Sequence, residues 1–290
     1  SRKEVVDHIY EMMAKILSEA KISYVKWDMN RSITECFSAG LPADRQGEAY
    51  HRYILGVYDL YERLTSQFPE VLFESCASGG GRFDPGLLYY APQGWTSDDT
   101  DAVERLKIQY GTSYCYPISS MGSHVSVSPN HQLNRNTPLH TRANVAYFGT
   151  FGYELDLNKL TDEEQEAVKE QIRFMKEHRR LIQFGTFYRL QSPFEGNIAS
   201  WMVVSEDKKE AIVGWYRVLN GVNMPYTRTK LMGLSPDTEY RVEGMDTTHF
   251  GDELMNYGLI TSDHASGSAS PDEEIGQDFD SRLYLLKAVN

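Results

Sequence analysis

The hydrophobic spacing changes its period along this chain, and that change constrains the fold more than any other feature. Helical and strand patterns alternate over the first two-thirds, whereas the last third carries strand patterns only. From Arg2 to Lys21 the apolar residues Val5, Ile9, Met12, Met13, Ile16, Leu17 and Ala20 recur at helical spacing, and the run ISYVKWDM follows at once. From Tyr50 to Phe68 the same pattern returns with Tyr53, Ile54, Val57, Tyr61 and Leu64, is stopped by Pro69, and is followed by the strand VLFES. GWTSD predicts a third strand with a helix from Asp101 to about Tyr110, and further strands fall within 114–127 and 150–157. The next helix opens with Thr161 as N-cap and Asp162, Glu163 and Glu164 in its first turn, and turns Val168, Ile172, Met175 and Ile182 inward. Helices alternating with short apolar strands imply parallel βαβ units, hence a doubly wound sheet or a (β/α)8 barrel.

From about Asn197 the texture differs. IASWMVVS, EAIVGWYRVL, TKLMGL, TEYRVEGM and SRLYLLKAV are short strands parted by Gly, Asn, Asp and Pro turns, the pattern of an antiparallel sandwich. The boundary at LQSPFEGN divides the chain into 1–192 and 193–290, and SDHASGSASPDEEIGQD reads as a surface loop. A complete (β/α)8 barrel takes roughly 250 residues, whereas about 190 residues and about five strands precede the sandwich here. The chain is therefore expected to be the carboxyl-terminal piece of a longer protein, cut inside its barrel.

Twenty-nine Lys and Arg stand against 41 Asp and Glu, a formal net charge of −12. That balance argues against nucleic acid or anionic lipid as partner and favours a neutral or small one. No apolar run reaches membrane-spanning length and the start lacks a signal-peptide pattern, so a cytoplasmic location is expected. Cys36, Cys76 and Cys115, odd in number and far apart, read as reduced thiols.

Three segments carry chemistry. In ISYVKWDMNR the period of two puts Lys26, Asp28 and Asn30 on one face at the end of a strand, where parallel barrels place catalysis. An ion pair with a turn Asn closing a strand is the plainer reading of the same residues. FESCASGGGRFD has contiguous Gly79, Gly80 and Gly81 that match neither phosphate fingerprint, so the glycines serve a tight turn or a close ligand approach, and Cys76 lacks a neighbour to activate it as a nucleophile. GWTSDDTDA supplies Asp98, Asp99 and Asp101; Asp99 or Thr100 would cap the following helix and Asp101 favour its dipole, leaving Asp98 to face the barrel mouth beside Asp28. Metal-ligand spacings are missing, so no metal is expected. His124, His131 and His140 are assigned to loop packing, and the aromatics of NVAYFGTFGY and GTFYRLQSPF to core. Two Asp residues at two strand ends, flanked by Trp27, Trp95, Lys26 and Asn30, suit glycoside hydrolysis: carboxylate pairs cleave glycosidic bonds, and aromatic faces pack on sugar C–H surfaces.

KWDMNR, ESCASGGGRFD and WTSDDTDAVERLKIQYG, with MGSHVS further on, closely resemble the motifs of bacterial, melibiase-like α-galactosidases of glycoside hydrolase family thirty-six. The resemblance runs through most of the chain. It implies the carboxyl-terminal part of a (β/α)8 TIM barrel over 1–192, an antiparallel β-sandwich domain over 193–290, and an amino-terminal β-supersandwich not included here. It implies a retaining hydrolase that releases terminal α-linked galactose from melibiose or raffinose without a cofactor, with Asp28 as nucleophile and Asp98 as acid/base. Lys26, Asn30, Cys76 and Gly79 match positions that contact galactose hydroxyls, with Trp95 added to the pocket. Upstream, the family has an Asp pair, a Trp and an Arg that complete the pocket; this chain alone is thus expected to be inactive, and the intact protein to be a homo-oligomer. The rival readings are an α-galactosyl transglycosylase or an α-N-acetylgalactosaminidase using the same carboxylates and, from another class, a non-catalytic carbohydrate-binding or assembly fragment.

Overall fold

The computed structural model describes residues 2–31, 33–222, 226–261 and 277–289. Of the SDHASGSASPDEEIGQD loop, all but Gln277 and Asp278 lies outside the described residues. The chain falls into two compact units, 1–98 and 99–290.

The first unit runs α1 (Lys3–Glu19), β1 (Tyr24–Asp28), α2 (Ala49–Gln67), β2 (Leu72–Cys76), α3 (Pro85–Tyr90) and β3 (Gln93–Trp95). β1 pairs parallel with β2, and β2 with β3. Spatial order follows chain order with a helix in each crossover, the winding of a (β/α)8 barrel rather than of a sheet with a switch point. The helix-side core joins Leu17 of α1, Leu60, Tyr61 and Leu64 of α2, Phe73 of β2 and Leu87 of α3, with Val25 and Trp27 of β1 packed against it. Alternation along β1 then sends Tyr24, Lys26 and Asp28 to the opposite face.

The second unit opens with α4 (Ala102–Thr112), β4 (Met121–Ser126), α5 (Leu139–Ala146), β5 (Thr150–Glu154) and α6 (Asp162–Phe184). β4 and β5 are parallel, Gly122 opposite Thr150 and Ser126 opposite Glu154. The strands that follow are β6 (Thr186–Gln191), β7 (Ile198–Val204), β8 (Glu210–Arg217), β9 (Arg228–Thr229), β10 (Glu239–Val242), β11 (Thr248–Phe250), then α7 (Gly251–Asn256), β12 (Leu259–Ile260) and β13 (Asp280–Ala288). Six of them form one antiparallel sheet in the order β11-β10-β13-β8-β7-β6, and β9 pairs with β12. Met202, Val213, Trp215, Tyr240 and Leu286 of the large sheet bury against Leu231, Leu234, Leu254 and Leu259 of the thinner second layer. α5 seats on this sheet through Asn144, whose carbonyl accepts from the Tyr216 hydroxyl at 2.7 Å and whose side-chain amide donates to Ser281 at 2.9 Å. The fold class is therefore the one expected: α/β, part of a (β/α)8 barrel followed by an antiparallel β-domain.

Several local expectations change. Trp27, placed beside the site in the sequence reading, packs into the helix-side core with its ring 5.1 Å from Tyr61 and 6.4 Å from Phe73, because it alternates with Lys26 and Asp28. The strand of GWTSD is confined to Gln93–Trp95. Asp101, rather than Asp99 or Thr100, caps α4: its carboxylate accepts from Val103 N at 3.0 Å and Glu104 N at 3.1 Å, and Asp99 accepts from Asp101 N at 3.0 Å. Extended backbone at 101 is what lets a side chain reach back to these amides. α6 has the expected Thr161 cap, completed by Glu164 as a capping box, but Ile172 is 36% exposed and Gln171 takes the inward place, accepting from the Tyr153 hydroxyl at 2.9 Å. His124 lies on β4 with Nδ1 3.1 Å from Glu154, and His140 on α5 with Nε2 3.3 Å from Asp280, so neither belongs to a loop. Of the aromatics assigned to core, Tyr147 and Phe148 are buried but Phe194 is exposed. β6 precedes residue 193 and pairs antiparallel with β7, so the antiparallel sheet begins at Thr186.

The two caps differ in what they hold. Asp101 is buried and also pairs with Arg135, whereas Thr161 is exposed. Asp101→Ala removes a cap and one of the two carboxylates beside Arg135, Glu104 remaining, and should cost about 2 kcal/mol or more; Thr161→Ala should cost about 1 kcal/mol. Urea unfolding of the whole protein checks both, and equal losses would contradict the assignment.

Candidate active site

In-register parallel pairing repeats side chains of like position on one face of neighbouring strands. β1 and β2 pair with Lys26 opposite Glu74 and Asp28 opposite Cys76, and β3 continues with Gln93 opposite Glu74. By alternation Trp95 shares the face of Gln93. Tyr24, Lys26, Asp28, Glu74, Cys76, Gln93 and Trp95 thus form a single surface within the first unit.

Glu74 is its floor. It is 1% exposed; Oε1 lies 3.8 Å from Lys26 Nζ, and Oε2 accepts from the Tyr24 hydroxyl and from Gln93 Nε2, the latter at 2.9 Å. The Lys26 ammonium also lies over the Trp95 ring, 4.8 Å from its centroid. Glu74 escaped the sequence reading, although the period of two that selected Lys26 and Asp28 in YVKWD selects Glu74 and Cys76 in LFESC.

Asp28 sits at the rim, bracketed by donors. Asn30 Nδ2 donates to its carboxylate at 3.0 Å, while Asn30 Oδ1 accepts from Ser78 N at 2.8 Å and from the Ser78 hydroxyl at 3.2 Å. A backbone N–H can only donate, so Ser78 fixes which end of the Asn30 amide faces Asp28. Burial acts to raise the Asp28 carboxyl. The Cys76 thiol, the Asn30 amide, the Ser78 N–H and the Lys26 charge together outweigh it and hold the group below the ordinary aspartate range. Burial, then the neighbouring Asp28, pushes the Cys76 thiol up to about 11 despite the Gly79 N–H that favours its thiolate. Cys76 is thus a protonated donor at working pH, not a nucleophile.

Asp98 is brought in through the backbone. Ser78 and Gly79, after β2, have φ of 49° and 78°, in the left-handed region. A Cβ on Gly79 would lie 2.6 Å from Ser97 Cα and 2.8 Å from Asp98 N. The turn that presents Ser78 to Asn30 is therefore the turn against which the Asp98 segment rests. Asp98 itself is exposed beyond β3. Of the sequence-selected residues, Lys26, Asp28, Asn30, Cys76, Gly79, Trp95 and Asp98 all lie at this end of β1, β2 and β3. Among the described residues no group of three His, Cys, Asp or Glu could hold a metal ion.

Gly79→Ala combines a positive φ with a backbone clash and should lower the unfolding free energy by about 1–3 kcal/mol. Gly196, with nothing within 4 Å of its added Cβ, is the control, and Gly196→Ala should change it by less than about 0.5 kcal/mol. Denaturant melts that fail to separate the two would show that the 78–79 turn yields easily.

Comparison with known proteins agrees with this geometry. The Melibiase family pattern matches residues 1–185 and that of the glycosyl hydrolase family 36 C-terminal domain matches 198–286. The α-galactosidase AgaA of Geobacillus stearothermophilus is 54% identical over 289 residues, and the α-galactosidase Mel36A of Lactobacillus acidophilus is 50% identical. The crystal structure of the Lactobacillus brevis α-galactosidase superposes with a TM-score of 0.94 over 100% of this chain at 52% identity. The chain spans 38% of the length of each of these relatives. With both patterns matched in order, and the fold shared along the whole chain, the chain belongs to the Melibiase family, with the C-terminal domain of glycosyl hydrolase family 36.

Proposed function

We propose that this chain carries the reacting carboxylates of a retaining α-galactosidase, which releases terminal α-linked galactose from oligosaccharides such as melibiose and raffinose. The observation that carries the reading is the contrast between the two aspartates. Both are exposed, but four neighbours hold the Asp28 carboxyl below the ordinary aspartate range, whereas Asp98 is carried on a segment packed against the same turn. Ionised Asp28 attacks the anomeric carbon and the bond to the leaving oxygen breaks. Asp98 gives that oxygen its proton, and a β-galactosyl ester of Asp28 results. Asp98, now a carboxylate, takes a proton from water, which attacks the anomeric carbon from the α face, frees Asp28 and delivers α-galactose. Lys26, Asn30, Cys76, Gly79 and Trp95 form the wall that meets the sugar. The chemistry needs no cofactor.

Relatives support the substrate class. In Geobacillus stearothermophilus AgaA, raffinose is bound to a variant carrying an aspartate-to-asparagine change and stachyose to one carrying an aspartate-to-alanine change. The two altered aspartates are as far apart in that sequence as Asp28 and Asp98 are in this one. The same reading includes a cytoplasmic location, supported by the free thiols of Cys36, Cys76 and Cys115, and a homo-oligomeric assembly that sedimentation of the whole protein would test.

In the whole protein Asp28→Ala should abolish turnover, and azide should restore it as β-galactosyl azide by replacing the nucleophile. Asp98→Ala should retain a burst on aryl α-galactosides and yield α-galactosyl azide, because azide then attacks the β-linked intermediate. Product NMR reads the anomer, and the reverse pairing would exchange the two roles. The acid limb of kcat/KM reports Asp28 in the free enzyme. Activity should persist as pH falls through the ordinary aspartate range and be lost only below it. Cys76→Ala or Asn30→Ala removes a donor to the carboxylate and should move that limb to higher pH; an unmoved limb in both would separate Asp28 from the profile.

A further inference from the structure

We propose that Glu74 is a positioning residue: its buried carboxylate pins the Lys26 ammonium against the Trp95 ring and so fixes the positive charge beside Asp28. The inference rests on the reading of Asp28 as nucleophile and adds a residue that never touches the sugar.

Three observations carry it. Glu74 is 1% exposed, and burying a carboxylate is costly unless a charge and hydrogen bonds compensate it. The compensation is directional: one oxygen takes the neutral donors Tyr24 and Gln93, one from each flanking strand, and the other lies 3.8 Å from Lys26 Nζ. At that separation the ammonium is an ion-pair partner beyond hydrogen-bond length. Second, Lys26 is confined from two sides, by Glu74 and by Trp95 at 4.8 Å. A lysine side chain otherwise samples many rotamers, and this pair of contacts removes that freedom. Third, the placement follows from strand register, which stacks Glu74 against Lys26 one pleat repeat below Cys76 and Asp28. Of the groups set on Asp28, Lys26 comes from its own strand, Cys76 from β2, Asn30 and the Ser78 N–H from the loops after them; Lys26 alone of these carries a charge.

The proposal has a sign. Lys26 lowers the Asp28 carboxyl, so a Lys26 released from Glu74 lets it rise. Removing the negative charge of Glu74 acts directly in the opposite sense and favours ionised Asp28. The direction in which the acid limb moves thus separates positioning through Lys26 from a simple field effect.

The test uses the whole protein and an aryl α-galactoside. Glu74→Gln keeps the side-chain shape and an acceptor for Tyr24 and Gln93. It is expected to lower kcat/KM by about 10- to 100-fold, the scale of a misplacement near 1 Å, and to move the acid limb to higher pH. Lys26→Met should do the same, and Glu74→Gln added to Lys26→Met should change neither quantity further, since residues acting through one another are not additive. Glu74→Asp, which keeps the charge but withdraws it, should also move the limb to higher pH and serves if Glu74→Gln fails to fold. A limb that moves to lower pH, unaltered kinetics, or effects that multiply in the double variant would each overturn the proposal. Failure of the functional reading looks different: the unmutated protein would then show no α-galactosidase activity, or Asp28→Ala would remain active.

Discussion

The parallel register of β1 against β2 is the constraint on which the site depends. It sets Lys26 on Glu74 and Asp28 on Cys76, and a one-residue slip of β1 would turn Lys26 and Asp28 into the helix-side core while bringing Val25 and Trp27 to the mouth. Burial enforces the register. Phe73 is 1% exposed among Leu60, Tyr61 and Leu64, and Trp27 packs on Tyr61 and Phe73. The hydrophobic face of each strand thereby fixes the polar face, and the chemistry is placed by residues that never touch it.

Within that frame the polar groups are arranged by donor count. Asp28 receives a thiol, an amide and a backbone N–H, and a lysine charge acts on it. Two of these groups are themselves held by neighbours: Asn30 by Ser78, and Lys26 by Glu74 and Trp95. A carboxylate held below the ordinary aspartate range in this way meets what the nucleophile role proposed for Asp28 requires. The left-handed turn at Ser78 and Gly79 serves twice, giving one N–H to the bracket and one bare Cα to the Asp98 segment. Any side chain at 79 would disturb both carboxylates together.

The second unit follows another principle. α5 caps the antiparallel sheet through Asn144, Thr141 and Ser281, a buried polar seam within an otherwise apolar contact that includes Phe148 packed edge-on against Trp201. A polar seam of this kind specifies one docking geometry where apolar contacts alone would accept several. Arg105 serves the same end inside α4 and β4: buried, its guanidinium pushed down to about 10 chiefly by that burial, it donates to the Gly122 carbonyl at 2.6 Å.

The sequence by itself determined the alternation of helix and strand, the change to antiparallel strands and the Thr161 cap, and it singled out as candidates Lys26, Asp28, Asn30, Cys76, Gly79, Trp95 and Asp98. These are local or periodic signals, or motifs in fixed order, and they do not need the neighbours to be known. Only the tertiary structure decided what depends on a second strand or loop. Trp27 and Lys26 are adjacent in sequence, and which of them faces the site is a matter of which face packs on α2. Asp99, Thr100 and Asp101 are equivalent capping residues by type, and the extended backbone at 101 chose among them. Glu74 is one carboxylate among 41 acidic residues until register sets it against Lys26. The physical reason is the same in each case: burial and hydrogen bonding are properties of pairs of segments, and a linear pattern carries only one member of each pair.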